Sequence, residues 1–296
     1  MTTATATLVS RRASAGPSPR RNRGRAVRTG IRGMAAWIVA LIMITPILWM
    51  LLTSLHAEED AATNPPSLFA PLTLDGYIEF FSGSGMNPWP PLMNSLTASV
   101  LSVILVLLFA FPAAFALSIR PVEKWSQVMF FFLTTKMLPL VAALLPLYLF
   151  AKQIGALDNI FLLVIFYTAM NLPIAVWMMR SFLAEVPVEL MEAAQIDGAG
   201  LPMILRAVIF PVATPGIAAT ALICFIFSWN DLLFARVLTG TGAQTAPVFL
   251  TGFVSSQGLF LATVSAGALA VSLPVMLVGM AAQDRLVQGL TFGAVK

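Results

Sequence analysis

The sequence predicts an all-α, polytopic membrane protein with six transmembrane helices. Of its 296 residues, 58% are hydrophobic and only 10% are charged, whereas soluble domains carry about 25% charged residues. A helix needs about twenty apolar residues to cross a bilayer. Six stretches meet that length: 34–55, 93–118, 127–150, 159–179, 212–233 and 259–281. Prolines inside several of them indicate kinks, which membrane helices accept when neighbouring helices satisfy the freed backbone groups.

Residues 1–33, before the first span, are rich in Arg, Ser, Gly and Pro and show no apolar periodicity. Such a composition predicts a disordered basic tail. An Arg- and Ser-rich start without acidic residues is also typical of an organelle transit peptide. Nucleic-acid binding is disfavoured, because no aromatic residues are interleaved with the arginines. The rest of the chain favours a tail held in the cytoplasm.

The distribution of Lys and Arg predicts the orientation, because cytoplasmic loops carry an excess of these residues. With the N-terminus inside, the cytoplasmic side holds the tail arginines, Arg120, Lys124, Arg180, Arg206, Arg285 and Lys296. The opposite side keeps only Lys152 and Arg236. Its first segment, residues 57–91, is proline-rich and acidic, with Glu58, Glu59, Asp60, Asp75 and Glu79. Both termini are therefore predicted to be cytoplasmic.

The segment between the fourth and fifth spans predicts a short helix, a turn and a second helix on the cytoplasmic side. Pro187 suits the first position of a helix, and Gly198 suits the left-handed residue that ends one. Apolar residues recur at helical spacing on one face and acidic residues occupy the other: Val188, Met191 and Ala194 against Glu189 and Glu192. A compact amphipathic helix in this place is suited to binding a partner in water.

Glu192-Ala193-Ala194, Asp197-Gly198-Ala199 and Pro211, thirteen residues after Gly198, resemble the cytoplasmic signature loop of ABC importer permeases. Val208 and Phe210 depart mildly from that pattern, which usually has Ile and Leu there. The resemblance implies a coupling helix that sits in a cleft of an ATPase subunit. The residues implied in this coupling are Glu189, Glu192, Ala193, Ala194, Asp197, Gly198, Ala199 and Pro211. The alternative is an ordinary re-entrant or interfacial loop.

Further stretches are similar to the carbohydrate-type permeases of this family. Phe227-Ser-Trp-Asn-Asp-Leu-Leu-Phe-Ala resembles the end of the fifth span of maltose-type subunits. Thr135-Lys-Met-Leu-Pro and Gly155-Ala-Leu-Asp are similar to polyol permeases. The end of the chain, from Gly289 to Lys296, resembles the tail that contacts the ATPases, without its usual final glycine. That likeness implies a contacting tail with Thr291, Gly293 and Lys296.

The resemblance covers residues 34–296 and identifies the chain as similar to a maltose/polyol-like ABC importer permease subunit. It implies a six-span permease domain over 34–284 and a cytoplasmic tail over 285–296, after the disordered basic tail that the composition predicts over 1–33. The implied location is a bacterial plasma (inner) membrane. The implied partners are a second homologous permease, two ATPase subunits, an extracytoplasmic substrate-binding (lipo)protein, membrane lipid and a small sugar or polyol, with no nucleic acid. The chain would form half of the translocation path.

The chain lacks the motifs of an enzyme. It has no Gly-Lys-Ser/Thr and hence no phosphate-binding P-loop, so ATP and Mg are expected in the partner ATPase subunits and no cofactor or metal in this chain. Its one histidine is His56 and its one cysteine is Cys224, which excludes a disulfide framework. The competing hypothesis is an ion-gradient-driven secondary carrier of a small polar solute. Such carriers usually show paired charges along the spans, and here only Lys136 and Asp231 are available.

Polar residues inside the spans are candidates for the translocation path, because a charge near the bilayer centre costs several kcal/mol unless it is paired or hydrated. Lys136 lies about ten residues into the third span, roughly 15 Å deep. This lysine could line the path, or it could form a structural pair with a carboxylate such as Asp231. Amides and aromatic rings also suit a hydroxylated ligand. The full candidate set is Lys136, Asn171, Trp229, Asn230 and Asp231.

Overall fold

The computed structural model describes residues 19–63, 69–83, 87–119, 123–137, 140–255 and 258–292. It divides into two units, Met1–Leu51 and Leu52–Lys296. The helices are α1 Pro19–Ser54, α2 Glu58–Ala61, α3 Asp75–Ser82, α4 Trp89–Ser118, α5 Trp125–Met137, α6 Leu140–Gln153, α7 Ile160–Leu183, α8 Val188–Ile196, α9 Leu201–Ile204, α10 Phe210–Trp229, α11 Leu233–Leu238, α12 Ala246–Leu250 and α13 Leu261–Phe292. A π-helix (Leu205–Ile209), a 3-10 turn (Thr251–Phe253) and two-residue strands β1 (Val254–Ser255) and β2 (Gly258–Leu259) complete the described chain.

Among the described residues, five helical segments are long and apolar enough to cross a membrane: Arg28–Ser54, Trp89–Ser118, Ile160–Leu183, Leu201–Trp229 and Leu261–Gln283. The α5 and α6 helices pass the same test only together, and the number is six if this bent pair is one span. The predicted all-α membrane fold is therefore confirmed.

The third span differs from the predicted continuous helix over 127–150. It consists of two helices, Trp125–Met137 and Val141–Gln153, bent by 86°, and residues 138 and 139 between them lie outside the described residues. Proline removes a backbone donor and clashes with the preceding turn, so a helix tends to end or kink there.

The first helix begins earlier than the predicted boundary of the N-terminal tail. The α1 helix starts at Pro19, whereas the sequence predicts disorder through residue 33. Arginine is a good helix former, and the apolar span that follows lets a helix propagate backwards once it is nucleated. Large apolar side chains of α1 such as Trp37 and Met43 are exposed, as in a helix surrounded by lipid or by another membrane chain.

The second unit is built around α4, α7 and α10, which pack against one another. Small residues bring these helices close, as is usual inside membranes. Ala110, Ala114 and Ala175 are fully buried in their contact. Gly216 of α10 lies against the ring of Phe182, with no room for a Cβ atom. The same core cluster contains Met191 and Ile204, which tie α8 and α9 to the spans.

The start of α10 contains a wider turn whose cause is visible in the sequence. Pro211 has no N–H, and its ring clashes with the carbonyl four residues earlier. The preceding residues form a π-helix in which the Phe210 amide donates to the Leu205 carbonyl, five residues back. The α9 helix, the π-helix and α10 therefore follow one another without a break.

The short helices α2 and α3 lie against α13 at the end of the spans away from α8. The Glu58 carboxylate accepts hydrogen bonds from the Ala262 and Thr263 amides at 3.2 and 3.3 Å, which satisfies free donors at the start of α13. A Cβ atom on Gly76 of α3 would meet the Ala262 carbonyl oxygen at 2.9 Å, so the close contact of α3 with α13 requires glycine.

Candidate functional site

The α8 helix and its end form a self-contained element between the spans α7 and α10. Gly198 has a φ of +83°, the left-handed conformation that glycine adopts without strain. The Gly198 amide donates to the Gln195 carbonyl, and the Ala199 amide donates to the Ala194 carbonyl, both at 3.0 Å. This pair of bonds is the Schellman motif, which ends a helix by satisfying its last carbonyls.

One face of α8 is attached to the core and the other is free. Met191 is buried, and Ala194 and Ala199 pack against the same core cluster. The acidic residues Glu189 and Glu192 are exposed. Ile196, at the end of α8, is 86% exposed.

The structure brings the predicted coupling residues together. Glu189, Glu192, Ala193 and Ala194 lie on α8; Asp197, Gly198 and Ala199 form its end; and Pro211 lies in the first turn of α10. Of the predicted tail residues, Thr291 belongs to α13, and Gly293 and Lys296 lie outside the described residues.

Asn171, a predicted path residue, is fully buried. Its Nδ2 donates to Ser228 Oγ at 2.9 Å. Ser228 Oγ in turn lies 3.1 Å from Ser102 Oγ, and Ser102 donates to the Ser99 carbonyl at 2.9 Å. The chain of bonds links α7, α10 and α4 inside the bundle. The serines at helical spacing on α4, Ser95, Ser99 and Ser102, are the sequence signal for this seam.

Asp231 takes part in a second bridge between α7 and the end of α10. Its Oδ2 accepts from the Tyr167 hydroxyl at 3.0 Å and from the Ala235 amide at 3.1 Å. Lys136 is exposed in the last turn of α5, and among the described residues no ion pair joins it to Asp231. The structure thus favours a structural role for Asp231 that does not depend on the lysine.

The two remaining path candidates lie side by side but in different surroundings. Trp229 is buried, and its indole N–H donates to the Val271 carbonyl of α13 at 3.0 Å. Asn230 is exposed and donates to the Ile226 carbonyl of its own helix. Contact of any of these residues with a solute stays a prediction.

Sequence reasoning missed a carboxylate that organises the opposite face of the unit. Asp158 precedes α7 and has a φ of +56°, uncommon for a residue other than glycine. Its Oδ1 accepts from the Gly240 and Ala243 amides at 2.8 and 2.7 Å, and its Oδ2 accepts from the Gly242 amide at 3.0 Å. The Asp158 amide donates to the Leu238 carbonyl.

These hydrogen bonds also change the acidity of Asp158. The bond from the Ala243 amide, with smaller contributions from Gly242 and Gly240, holds the pKa of Asp158 below its ordinary value against the opposing effect of burial. Donors aimed at a carboxylate favour its charged form. The signal in the sequence was a Gly-x-Gly turn between α11 and α12, which by itself does not indicate its acceptor.

We call residues 239–245 the Gly240 loop. Asn94 of α4 holds it from a second direction, because its Nδ2 donates to the Gly242 and Gln244 carbonyls at 3.0 Å each. The Ala246 amide, just after the loop, donates to Ser95 Oγ at 2.8 Å. A Cβ atom on Gly240 or Gly242 would meet Asp158 Oδ2 at 3.0 Å, a tight contact from which the carboxylate would have to move by a few tenths of an ångström.

The described part of the chain contains no group of three or more His, Cys, Asp or Glu side chains that could hold a metal ion.

Comparison with known proteins gives consistent matches along the chain. Residues 107–292 match the family described as "Binding-protein-dependent transport system inner membrane component". The "Probable ABC transporter permease protein y4oR" of Sinorhizobium fredii is 35% identical over 259 residues, covering 88% of this chain and 92% of the relative. The "Trehalose transport system permease protein SugB" of Mycobacterium tuberculosis is 31% identical over 278 residues, covering 90% and 99%.

A solved structure shows the same fold. The structure of "a bacterial ABC transporter involved in the import of the acidic polysaccharide alginate" contains a chain that superposes with a TM-score of 0.69 at 23% identity, covering 92% of this chain and 100% of that one.

Proposed function

The chain belongs to the family of inner membrane components of binding-protein-dependent transport systems, and from that premise we propose that it is a carbohydrate-importer permease subunit whose α8 binds an ATPase subunit. The observation that carries this proposal is α8 itself. It is a short helix between two spans, anchored by Met191 and exposing Glu192 and Ile196. An ion-gradient-driven carrier is not supported by this family.

The backbone of α8 suits the transmission of force to the spans. The Schellman end at Gly198 fixes α8 relative to α9, and α9 continues through the π-helix into α10. Met191 and Ile204 also pack into the core formed by α4 and α7. Motion of a partner that holds the exposed face of α8 would therefore reach three spans. Glu192 would fix the contact by a charge-assisted hydrogen bond.

The remaining assignments follow from the same proposal. ATP and Mg would be bound by two ATPase subunits, and a second permease would complete the translocation path. A substrate-binding protein would deliver a sugar or polyol from outside, and both termini would be cytoplasmic. The exposed Lys136 and Asn230 are the candidates for contact with the solute, because both present polar groups at the surface of the spans. The Thr291, Gly293 and Lys296 tail would contact the ATPases.

Copurification tests this proposal directly. We would solubilise the tagged chain gently and identify the chains that accompany it by mass spectrometry, then measure sugar-stimulated ATPase activity in vesicles. The expected result is an ATPase with a P-loop and a second six-span chain. If the chain copurifies with no partner and transports sugar in vesicles without ATP, the proposed function is wrong.

A charge reversal on α8 localises the contact. Glu192→Lys should lose the ATPase subunits and sugar uptake while still inserting into the membrane, because it replaces an exposed acid on the docking face. The matched control is Glu123→Lys, an exposed acid between α4 and α5, which should retain both. Equal copurification of the two variants would contradict the role of α8.

A further inference from the structure

We propose that Asp158 is a positioning residue for the substrate-binding protein: it holds the Gly240 loop in one conformation, so that the binding protein meets a preformed surface. The inference rests on the proposed function, since it assumes that such a protein docks on this face. It concerns a residue that touches neither the solute nor the ATPase.

The topology places Asp158 and the Gly240 loop on the face away from α8. Asp158 lies between the third and fourth spans, and the loop lies between the fifth and sixth. The α8 helix lies between the fourth and fifth spans. Successive connections between spans lie on alternate sides of the membrane. Asp158 and the Gly240 loop therefore face the side opposite the proposed ATPase contact. The distribution of Lys and Arg gives the same side.

The Asp158 carboxylate bonds a distant segment and not its own turn, and we call its three bonds to the Gly240 loop the clamp. One carboxylate accepts three amide hydrogen bonds from a segment that is 82 or more residues away in the chain. The left-handed backbone of Asp158 is a conformation that persists when the surroundings determine it. A Cβ atom on either loop glycine would press against the carboxylate at 3.0 Å. The glycines of the loop and the left-handed conformation of Asp158 therefore both serve this contact.

The base of the loop is fixed, and its tip is open to a partner. Ala243 and Thr245 are buried, whereas Gly240, Thr241 and Gly242 are exposed. The tip presents peptide groups and one hydroxyl, without charge. This chemistry fits a neutral polar surface on a protein partner, bound through hydrogen bonds to an ordered backbone.

Order in the loop matters for binding because ordering a flexible segment on association lowers affinity. A glycine-rich loop loses more conformational freedom on ordering than other sequences. Asp158 removes this cost in advance. Loss of the clamp should therefore weaken the response to the binding protein, with no effect on the ATPase contact at α8.

The test uses the assembled transporter in lipid vesicles. ATPase activity is measured against the concentration of sugar-loaded binding protein, and hydrogen exchange is followed in the peptide over residues 239–246. Asp158→Ala should raise the half-maximal concentration roughly tenfold, leave the maximal and the basal rates unchanged, and speed exchange in the loop. The matched control is Glu59→Gln, an exposed acid on the same side in α2.

A second variant should give a smaller change in the half-maximal concentration, and it provides a test if Asp158→Ala fails to assemble. Asp158→Asn keeps the side-chain size and one oxygen that can accept from Gly240 and Ala243, and it loses the acceptor for Gly242. It should show a smaller rise in the half-maximal concentration, in the same direction. Wild-type values of both the half-maximal concentration and the loop exchange in the Asp158 variants would overturn the proposal. A wild-type complex that no binding protein stimulates would instead overturn the proposed function.

Discussion

The end of α8 and the Gly240 loop are both glycine turns on aqueous faces of the same unit, and they are held in opposite ways. At α8, the Gly198 and Ala199 amides bond carbonyls of the same helix, and the acidic side chains are exposed. In the Gly240 loop, the amides and carbonyls bond the side chains of Asp158 and Asn94, which belong to other segments. The first turn is locally determined and the second depends on tertiary contacts.

This difference indicates how each surface can serve a partner. An element that closes on its own backbone keeps its shape while it moves as a unit, which suits a helix that transmits motion. A loop held by distant side chains keeps its shape only while the spans around it keep theirs. Substitutions far along the chain should therefore disturb the loop and leave α8 intact.

The largest effect is expected at Gly198. Gly198→Asp places a side chain on a left-handed residue, at a cost of about 1–2 kcal/mol, and adds a second carboxylate beside Asp197 on the docking face. No atom lies within 4 Å of a Cβ there, so the chain should insert normally while uptake is abolished. Uptake of labelled sugar and the amount of chain in the membrane measure this.

Gly200→Asp is the control for that variant. Gly200 has an ordinary φ of −71° and precedes α9, where aspartate is a favoured N-cap. It should retain uptake. Normal uptake by Gly198→Asp at normal expression would remove the coupling assignment from this turn.

The next effect is expected at the glycine of the outer loop. Gly242→Ala puts a Cβ atom 3.0 Å from Asp158 Oδ2, a contact that must push the two apart. The half-maximal concentration of binding protein should rise several-fold, and copurification of the ATPase should not change. Thr241→Ala, at an exposed position of the same loop, is the control for a general effect of the loop sequence. An unchanged response in Gly242→Ala would show that the loop adapts and that the clamp is not needed.

A smaller effect is expected from Asn94. Asn94→Ala removes two hydrogen bonds to loop carbonyls, each worth about 1 kcal/mol at most, and Gly242 is exposed so that water can replace one of them. Hydrogen exchange over residues 239–246 should become moderately faster. Asn87→Ala, which removes the bond from the Trp89 amide at the start of α4, should leave the loop unchanged. Equal exchange in the two variants would mean that Asp158 alone holds the loop.

The smallest effect on hydrogen exchange in the Gly240 loop is expected from a change of pH near neutrality. The folded state lowers the pKa of Asp158, so the stabilisation from its charged form is fully present above the ordinary pKa of about 3.9 and is lost as the pH falls through the lower folded value. Exchange in the loop, corrected for its intrinsic rate, should be constant from pH 7 to pH 5 and accelerate only below about 4. The Asp158→Asn variant should show no such step. A step near neutral pH would indicate a different titrating group.

Local patterns predicted the membrane fold and the place of α8. Six apolar stretches became five spanning helices and a bent pair, and Gly198 ended α8 as the glycine predicts. The start of α1 at Pro19 and the break near Pro139 differ from the predicted bounds. Both differences arise where a helix-forming or a helix-breaking residue adjoins an apolar run, because composition alone does not say how far a helix extends.

Hydropathy and residue spacing alone predict the membrane-spanning segments and the amphipathic helix between the fourth and fifth, because both depend on neighbouring residues. The long-range partners within the unit become visible only once the helices are packed. Asn171 bonds Ser228, 57 residues away, and Asp158 bonds a loop 82 residues away. A polar residue in a span or a turn has many acceptable partners, and the packing of the helices selects one of them.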